Sequence, residues 1–174
     1  MTHVNPDTLE VSILAPYNNT DLFQIGELAE DAFIRFGHYR EFISALVKER
    51  GVITAVIRDP ERDDDIIGFL LLGFIPVGGV FIADIMAIAL EEGYRFQGLG
   101  KKLLDWAFET IQKVSLSKQV KELRLTVAQD NHPAVSLFKQ YGFSFDRTGH
   151  LGNYPSGITA SSMKIQFIDD ELEV

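Results

Sequence analysis

The sequence predicts a mixed α/β fold, a sheet carrying helices on both of its faces. Three observations lead there. Apolar periodicity gives the element order β-α-α-β-β-β-α-β-α-β-β. Residues Phe81 to Leu90 (FIADIMAIAL) are almost all apolar, as a buried strand is. The glycine-bearing segment Arg95-Phe96-Gln97-Gly98-Leu99-Gly100 then leads into a helix with Leu103, Leu104, Ala107, Phe108, Ile111 and Val114 at helical spacing. The 174 residues suit one domain, residues 1–174, with a core of its own.

Each element has a local cause. Leu9 to Leu14 alternates as a first strand and stops at Pro16. Asn18-Asn19-Thr20-Asp21 offers helix caps, and Leu22, Ile25, Leu28, Ala29, Ala32 and Phe33 form the stripe that follows. Gly37 breaks that helix. A second carries Phe42, Ile43, Leu46 and Val47 and ends at Gly51. Val52 to Ile57 and Ile66 to Ile75 are strands, joined by a charged turn, Asp59 to Asp65, expected to be solvated. Pro76-Val77-Gly78-Gly79 turns the chain into Phe81 to Leu90. After the long helix, Glu122 to Ala128 is a strand. Asp130-Asn131-His132-Pro133 opens a short helix with Ala134, Leu137, Phe138 and Tyr141 on one side, ended by Gly142. Phe143 to Arg147 and Ile158 to Phe167 close the order, and residues 168–174 read as a frayed acidic tail.

Composition removes several classes. A net charge of −9 argues against broad nucleic-acid binding. The absence of cysteine excludes disulfides, thiolate metal sites and a cysteine nucleophile. The four histidines have no ligand spacing, so no metal is expected. No apolar run reaches the roughly 18 residues of a membrane span. The start lacks the basic and apolar regions of a signal peptide, which makes the expected location cytoplasmic.

A strand running through a glycine turn into a helix N-terminus is an anion site, because glycine admits close approach and unpaired N–H groups favour phosphate oxygens. A P-loop needs G-x-x-x-x-G-K-[ST]; here Arg95 stands at the first glycine and Lys102 at the hydroxyl position. A dinucleotide fingerprint needs G-x-G-x-x-G; here Leu103 stands at the third glycine. The pattern R/Q-x-x-G-x-G/A fits without a gap. With the strand before it, this segment resembles the acetyl-CoA-binding motif of the GNAT superfamily of N-acetyltransferases. Asn131-x-x-Ala134-x-x-Leu137-Phe138-x-x-x-Gly142-Phe143 resembles that family's following block.

The resemblance implies a mostly antiparallel sheet of about seven strands flanked by about four helices. It implies acetyl-CoA as co-substrate and a ternary complex in which a primary amine attacks the thioester directly. By resemblance Arg95, Phe96, Gln97, Gly98, Leu99, Gly100 and Lys101 hold the pyrophosphate. Ile88, Ala89 and Leu90 pair with the pantetheine amides as a missing strand would, and Asn131 and Phe138 flank the thioester. Lys101 and Lys102 add positive charge near the phosphates, Lys101 the more so.

The chemistry needs a neutral amine and a stabilised oxyanion. A lysine amine of pKa about 10.4 is roughly 0.04% neutral at pH 7, a cost of about 4.6 kcal/mol; an α-amine of pKa about 7.8 costs only about 1 kcal/mol. Where the family commonly has a tyrosine acid this chain has Phe138. Where ribosomal-protein-type members carry a glutamate base it has Thr126. Asp84 is the only charged residue in its strand and stands at the spacing of the histone-type glutamate base, which makes it the candidate base, directly or through water. Tyr141 falls at a core position. Phe36 and Tyr154 are the candidate acceptor-site residues, by family placement. The expected function is acetyl transfer to the amine of a small metabolite or a protein, the acidic balance favouring a cationic acceptor. The chain is expected to work as a monomer or homodimer. The rival reading is a non-catalytic acyl-CoA-binding domain, supported by Phe138 and Thr126.

Overall fold

In the computed structural model, which describes residues 4–167, seven strands form one sheet in the order β1-β2-β3-β4-β5-β7-β6. The strands are β1 (Val11–Ile13), β2 (Val52–Asp59), β3 (Asp65–Val77), β4 (Val80–Leu90), β5 (Val120–Ala128), β6 (Ser144–Asn153) and β7 (Thr159–Gln166). The helices are α1 (Asn19–Phe33), α2 (Arg40–Leu46), α3 (Leu99–Ser115) and α4 (His132–Gln140). Only β4 and β5 run parallel, and α3 is the crossover that parallel neighbours require. Every other pair is antiparallel, so the expected mostly antiparallel sheet with four helices is what the chain forms.

The sheet buries a core on each face. Leu99, Leu103, Leu104, Ala107 and Ile111 of α3 pack with Ala83, Ile85, Leu123 and Leu125 on one side. Ile25, Leu28 and Ala29 of α1 and Ile43 of α2 pack with Phe69, Leu71, Ala87 and Ala89 on the other. The alternation of inward residues along β3, buried on both faces from Ile66 to Gly73, reflects this double cover. α1 starts where the caps fall: Asn18 accepts from the Asp21 N–H at 2.8 Å while the Asp21 carboxylate accepts from the Asn18 N–H at 3.3 Å.

Several boundaries differ from the sequence reading. β1 is only three residues long, because Pro6–Thr8 closes a 3-10 turn ahead of it. β3 runs through Pro76, which lies beyond the last β2 pair at Gly73, where an unpaired edge tolerates a missing N–H. Asp59, expected in a solvated turn, is buried and accepts hydrogen bonds from the Glu61 N–H and the Tyr94 hydroxyl. β6 extends to Asn153 through its pairing with β7. The acidic tail, residues 168–174, lies outside the described residues.

Candidate functional site

β4 and β5 pair from Phe81 opposite Val120 to Ile85 opposite Leu125, and then stop. β4 continues to Leu90 and β5 to Ala128, so the strands part beyond that rung. A bulge lies at the parting. Ile85 faces Leu72 and Ala87 faces Leu71, leaving Met86 as the extra residue. Met86 and Ala87 both pack toward α1 and α2. Gly73 leaves room for the Met86 side chain, since a Cβ there would stand 2.9 Å from the Met86 sulfur. The open side of β4 offers backbone groups to an added extended chain.

Two hollows meet at this opening. The outer, about 660 Å³, runs past Ile88, Ala89 and Leu90, the turn before α3, and α4. The inner, about 180 Å³, lies between the parted strands and the α1–α2 junction. Phe33, Phe36, Ile88, Asn131, Ala134 and Phe138 border both, so they form one groove.

The turn before α3 is built as an anion cradle. Gly98 is the N-cap, with φ 84° and no side-chain cap on the helix. The first intrahelical N–H bond is that of Lys102 to the Gly98 carbonyl, which leaves the preceding N–H groups open. No acidic residue lies in the first turn to compete for them. The Arg95 Nε–H donates to the Leu90 carbonyl at 3.0 Å and pins the turn to the strand end. The Gln97 amide donates to the Gly93 carbonyl at 2.9 Å, and the Leu99 side chain is wholly buried, so Leu99 has only backbone to offer a ligand. Phe96, Gly98, Gly100 and Lys101 line the outer hollow. Lys102 turns away, its Nζ donating to the carbonyls of Pro6, Asp7 and Leu9 at 3.0, 3.2 and 2.8 Å. Across the groove Asn131 caps α4, accepting from the Ala134 N–H, and Phe138 is buried edge-on to Phe143.

The rim closes where Phe36 and Tyr154 were expected to lie. Their rings are 4.7 Å apart, and the Ser156 N–H donates to the Phe36 carbonyl at 3.1 Å. An Arg35–Asp130 ion pair ties the same junction to the loop before α4. Burial pushes the Tyr154 phenol up to about 12, with Tyr39 adding to it, and burial also raises Tyr39. Both phenols therefore stay neutral at pH 7. Tyr39, Phe42 and Met86 complete the inner lining; the sequence marked Phe42 only as an apolar position and gave no sign that Tyr39 or Met86 face a cavity.

Asp84 sits outside the lining, on the last paired rungs, opposite Gly73 and Arg124. Its carboxylate accepts from Arg124 Nε at 3.2 Å. Burial raises its pKa and Arg124 opposes that rise. It precedes Met86 by two residues, roughly 7 Å along the strand from the cavity floor. Thr126 is in the lining itself. Tyr141 packs on Phe108, its hydroxyl donating to Asp105 at 2.6 Å, which makes it a packing residue.

A sheet parted after its fourth strand, with a glycine turn at the parting, is the fold of solved N-acetyltransferases. Arabidopsis thaliana NAA60 in complex with acetyl-CoA superposes with a TM-score of 0.73 at 19% identity, over 92% of this chain and 99% of that one. The ribosomal-protein-S18-alanine N-acetyltransferase of Escherichia coli superposes with a TM-score of 0.71 at 18% identity, over 96% and 99%. The mycothiol acetyltransferase of Renibacterium salmoninarum is 31% identical over 108 residues, 61% of this chain and 30% of that protein. This chain therefore matches less than a third of that relative's length. The model of the acetyltransferase (GNAT) family matches residues 21–143, and the chain belongs to that family.

Proposed function

We propose that this chain is a single-domain N-acetyltransferase that moves the acetyl group of acetyl-CoA to a primary amine within a ternary complex. The observation that carries this reading is the continuous groove. It joins the open N–H groups of α3, the unpaired side of β4 and the aromatic-walled inner pocket. Gly98, Gly100 and the backbone of Gln97 and Leu99 serve the pyrophosphate, with Arg95, Phe96 and Lys101 around it. Ile88, Ala89 and Leu90 supply the strand edge for the pantetheine arm, and Asn131 and Phe138 flank its end.

The amine nitrogen forms a bond to the acetyl carbon as the carbon–sulfur bond breaks. One amine proton is lost and the thiolate gains one. Asp84 acts as base through water, since burial raises its pKa above the ordinary carboxylate value and its strand leads to the cavity floor. Phe138 cannot protonate the thiolate, so that proton comes from solvent. Positioning in the groove supplies much of the rate. Phe36 and Tyr154 hold the acceptor. The chain is read as a cytoplasmic monomer or homodimer.

Release of free CoA from acetyl-CoA in the presence of an amine panel tests the reading. Turnover on at least one primary amine is expected. Phe138 and Thr126 at the positions of the usual acid and base favour a second reading, a non-catalytic acyl-CoA-binding domain. Binding of acetyl-CoA with no turnover on any amine would establish that reading instead.

A further inference from the structure

The geometry points to an acceptor that is a monoamine with an apolar or aromatic group close to its amino carbon, seated in the inner cavity; this inference rests on the acetyl-transfer reading above. The cavity has a volume of about 180 Å³, and Asn131 and Phe138, the residues assigned to the thioester, border it on one side. An apolar cavity of about 150 Å³ holds a benzene ring. With the thioester at the Asn131 and Phe138 side, the rest of the space suits at most one phenyl or branched aliphatic group.

Its walls state the chemistry. Phe33, Phe36, Tyr39, Phe42 and Tyr154 surround it, with Met86 on the floor. Among the described residues that line it, none carries a formal charge. Four carboxylates on the surrounding elements have partners already. Glu30 accepts from His38 at 2.5 Å and from the N–H groups of Tyr39 and Arg40. Glu27 pairs with Arg40 at 2.8 Å, Asp130 with Arg35, and Asp84 with Arg124 at 3.2 Å.

A second ammonium on the acceptor would be buried among these walls without a counter-charge, which is costly. The reacting amine itself gains from such walls. Desolvation favours its neutral form, the form that attacks. None of the chain's net charge of −9 is borne by residues that line the pocket.

The experiment follows CoA release from acetyl-CoA with phenethylamine, ethylamine, spermidine and a tripeptide beginning with phenylalanine. A thermal shift with acetyl-CoA alone is read beside it. Burial of a phenyl group is expected to raise kcat/KM for phenethylamine at least tenfold above ethylamine and spermidine. The tripeptide arm separates a free amine from a chain terminus as the source of the same chemistry. Spermidine or ethylamine turned over as well as phenethylamine would overturn the inference and leave acetyl transfer standing. A thermal shift without turnover on any amine, or no thermal shift at all, would overturn both.

Phe42 is 57% exposed at the mouth, so Phe42→Glu is tolerated by the fold. It is expected to shift the phenethylamine-to-spermidine ratio at least fivefold toward spermidine. Phe42→Ala is the second variant: it is expected to weaken phenethylamine use without improving spermidine use. Ratios unchanged in both variants, with melting temperatures like the parent, would also overturn the inference.

Discussion

Two residues of the α3 turn, separated by Gln97, bend in the same unusual sense for opposite reasons. Gly98 has φ 84° with open space around it, so its backbone conformation, rather than crowding, calls for glycine. Gly98→Ala is expected to cost about 1–2 kcal/mol in urea unfolding. Phe96 has φ 61° and is 89% exposed, so an aromatic residue bears the strain with no packing in return. Phe96→Gly is expected to stabilise the ligand-free protein by about 0.5–1 kcal/mol, the left-handed penalty less the added chain entropy of glycine. An unchanged or lower urea midpoint would mean the ring has a partner in the free protein. Asp84 makes a pH prediction. Burial raises its pKa, so the folded protein holds that proton more tightly than the unfolded chain. The group's stabilisation is full below the ordinary carboxylate value and is lost as pH rises through the folded pKa. Asn at this position does not titrate. The melting temperature of Asp84→Asn relative to the parent is therefore expected to rise between about pH 4 and pH 7. A fall would mean the Arg124 ion pair outweighs burial. In turnover, unchanged kcat at neutral pH would remove Asp84 from the mechanism.

At the scale of elements, neighbouring lysines at the start of α3 have separate tasks. Lys102 holds three carbonyls of the segment before β1. Lys102→Ala is expected to cost about 1–2 kcal/mol and to speed hydrogen exchange at the amides of Thr8 and Leu9. Lys101 lines the groove and makes no such bonds. Lys101→Ala is expected to leave stability unchanged and to weaken acetyl-CoA binding, more so at low ionic strength. Equal effects of both substitutions on binding would contradict this division. The β4 bulge is the other decisive element. By turning Met86 and Ala87 to one side it ends the pairing with β5 and opens the groove.

For the whole molecule, ligand and fold are linked. Acetyl-CoA at 100 times its dissociation constant is expected to add about 2.7 kcal/mol, a rise of roughly 5–10 °C in melting temperature for a chain of this size. Much of this architecture was legible in the sequence, because each element has a local cause. The Asn18 cap, the helical stripe from Leu22 to Phe33, the glycine turn into α3 and the Asn131-Pro133 start of α4 depend on neighbours within a few residues. Both family motifs lie in such local stretches, which is why the groove's outer half could be placed residue by residue. The inner half could not. Whether Tyr39 and Phe42 face a cavity, and whether Asp84 points into it or pairs with Arg124, depends on how β4 leaves β5 and how two distant loops meet at Phe36 and Tyr154. The chain alone thus determined its element order, its family and the glycine turn into α3, since short-range periodicity and backbone geometry are written in adjacent residues. Only the tertiary structure decided the uncharged, aromatic character of the pocket, because its walls come from segments more than a hundred residues apart that share no local signal.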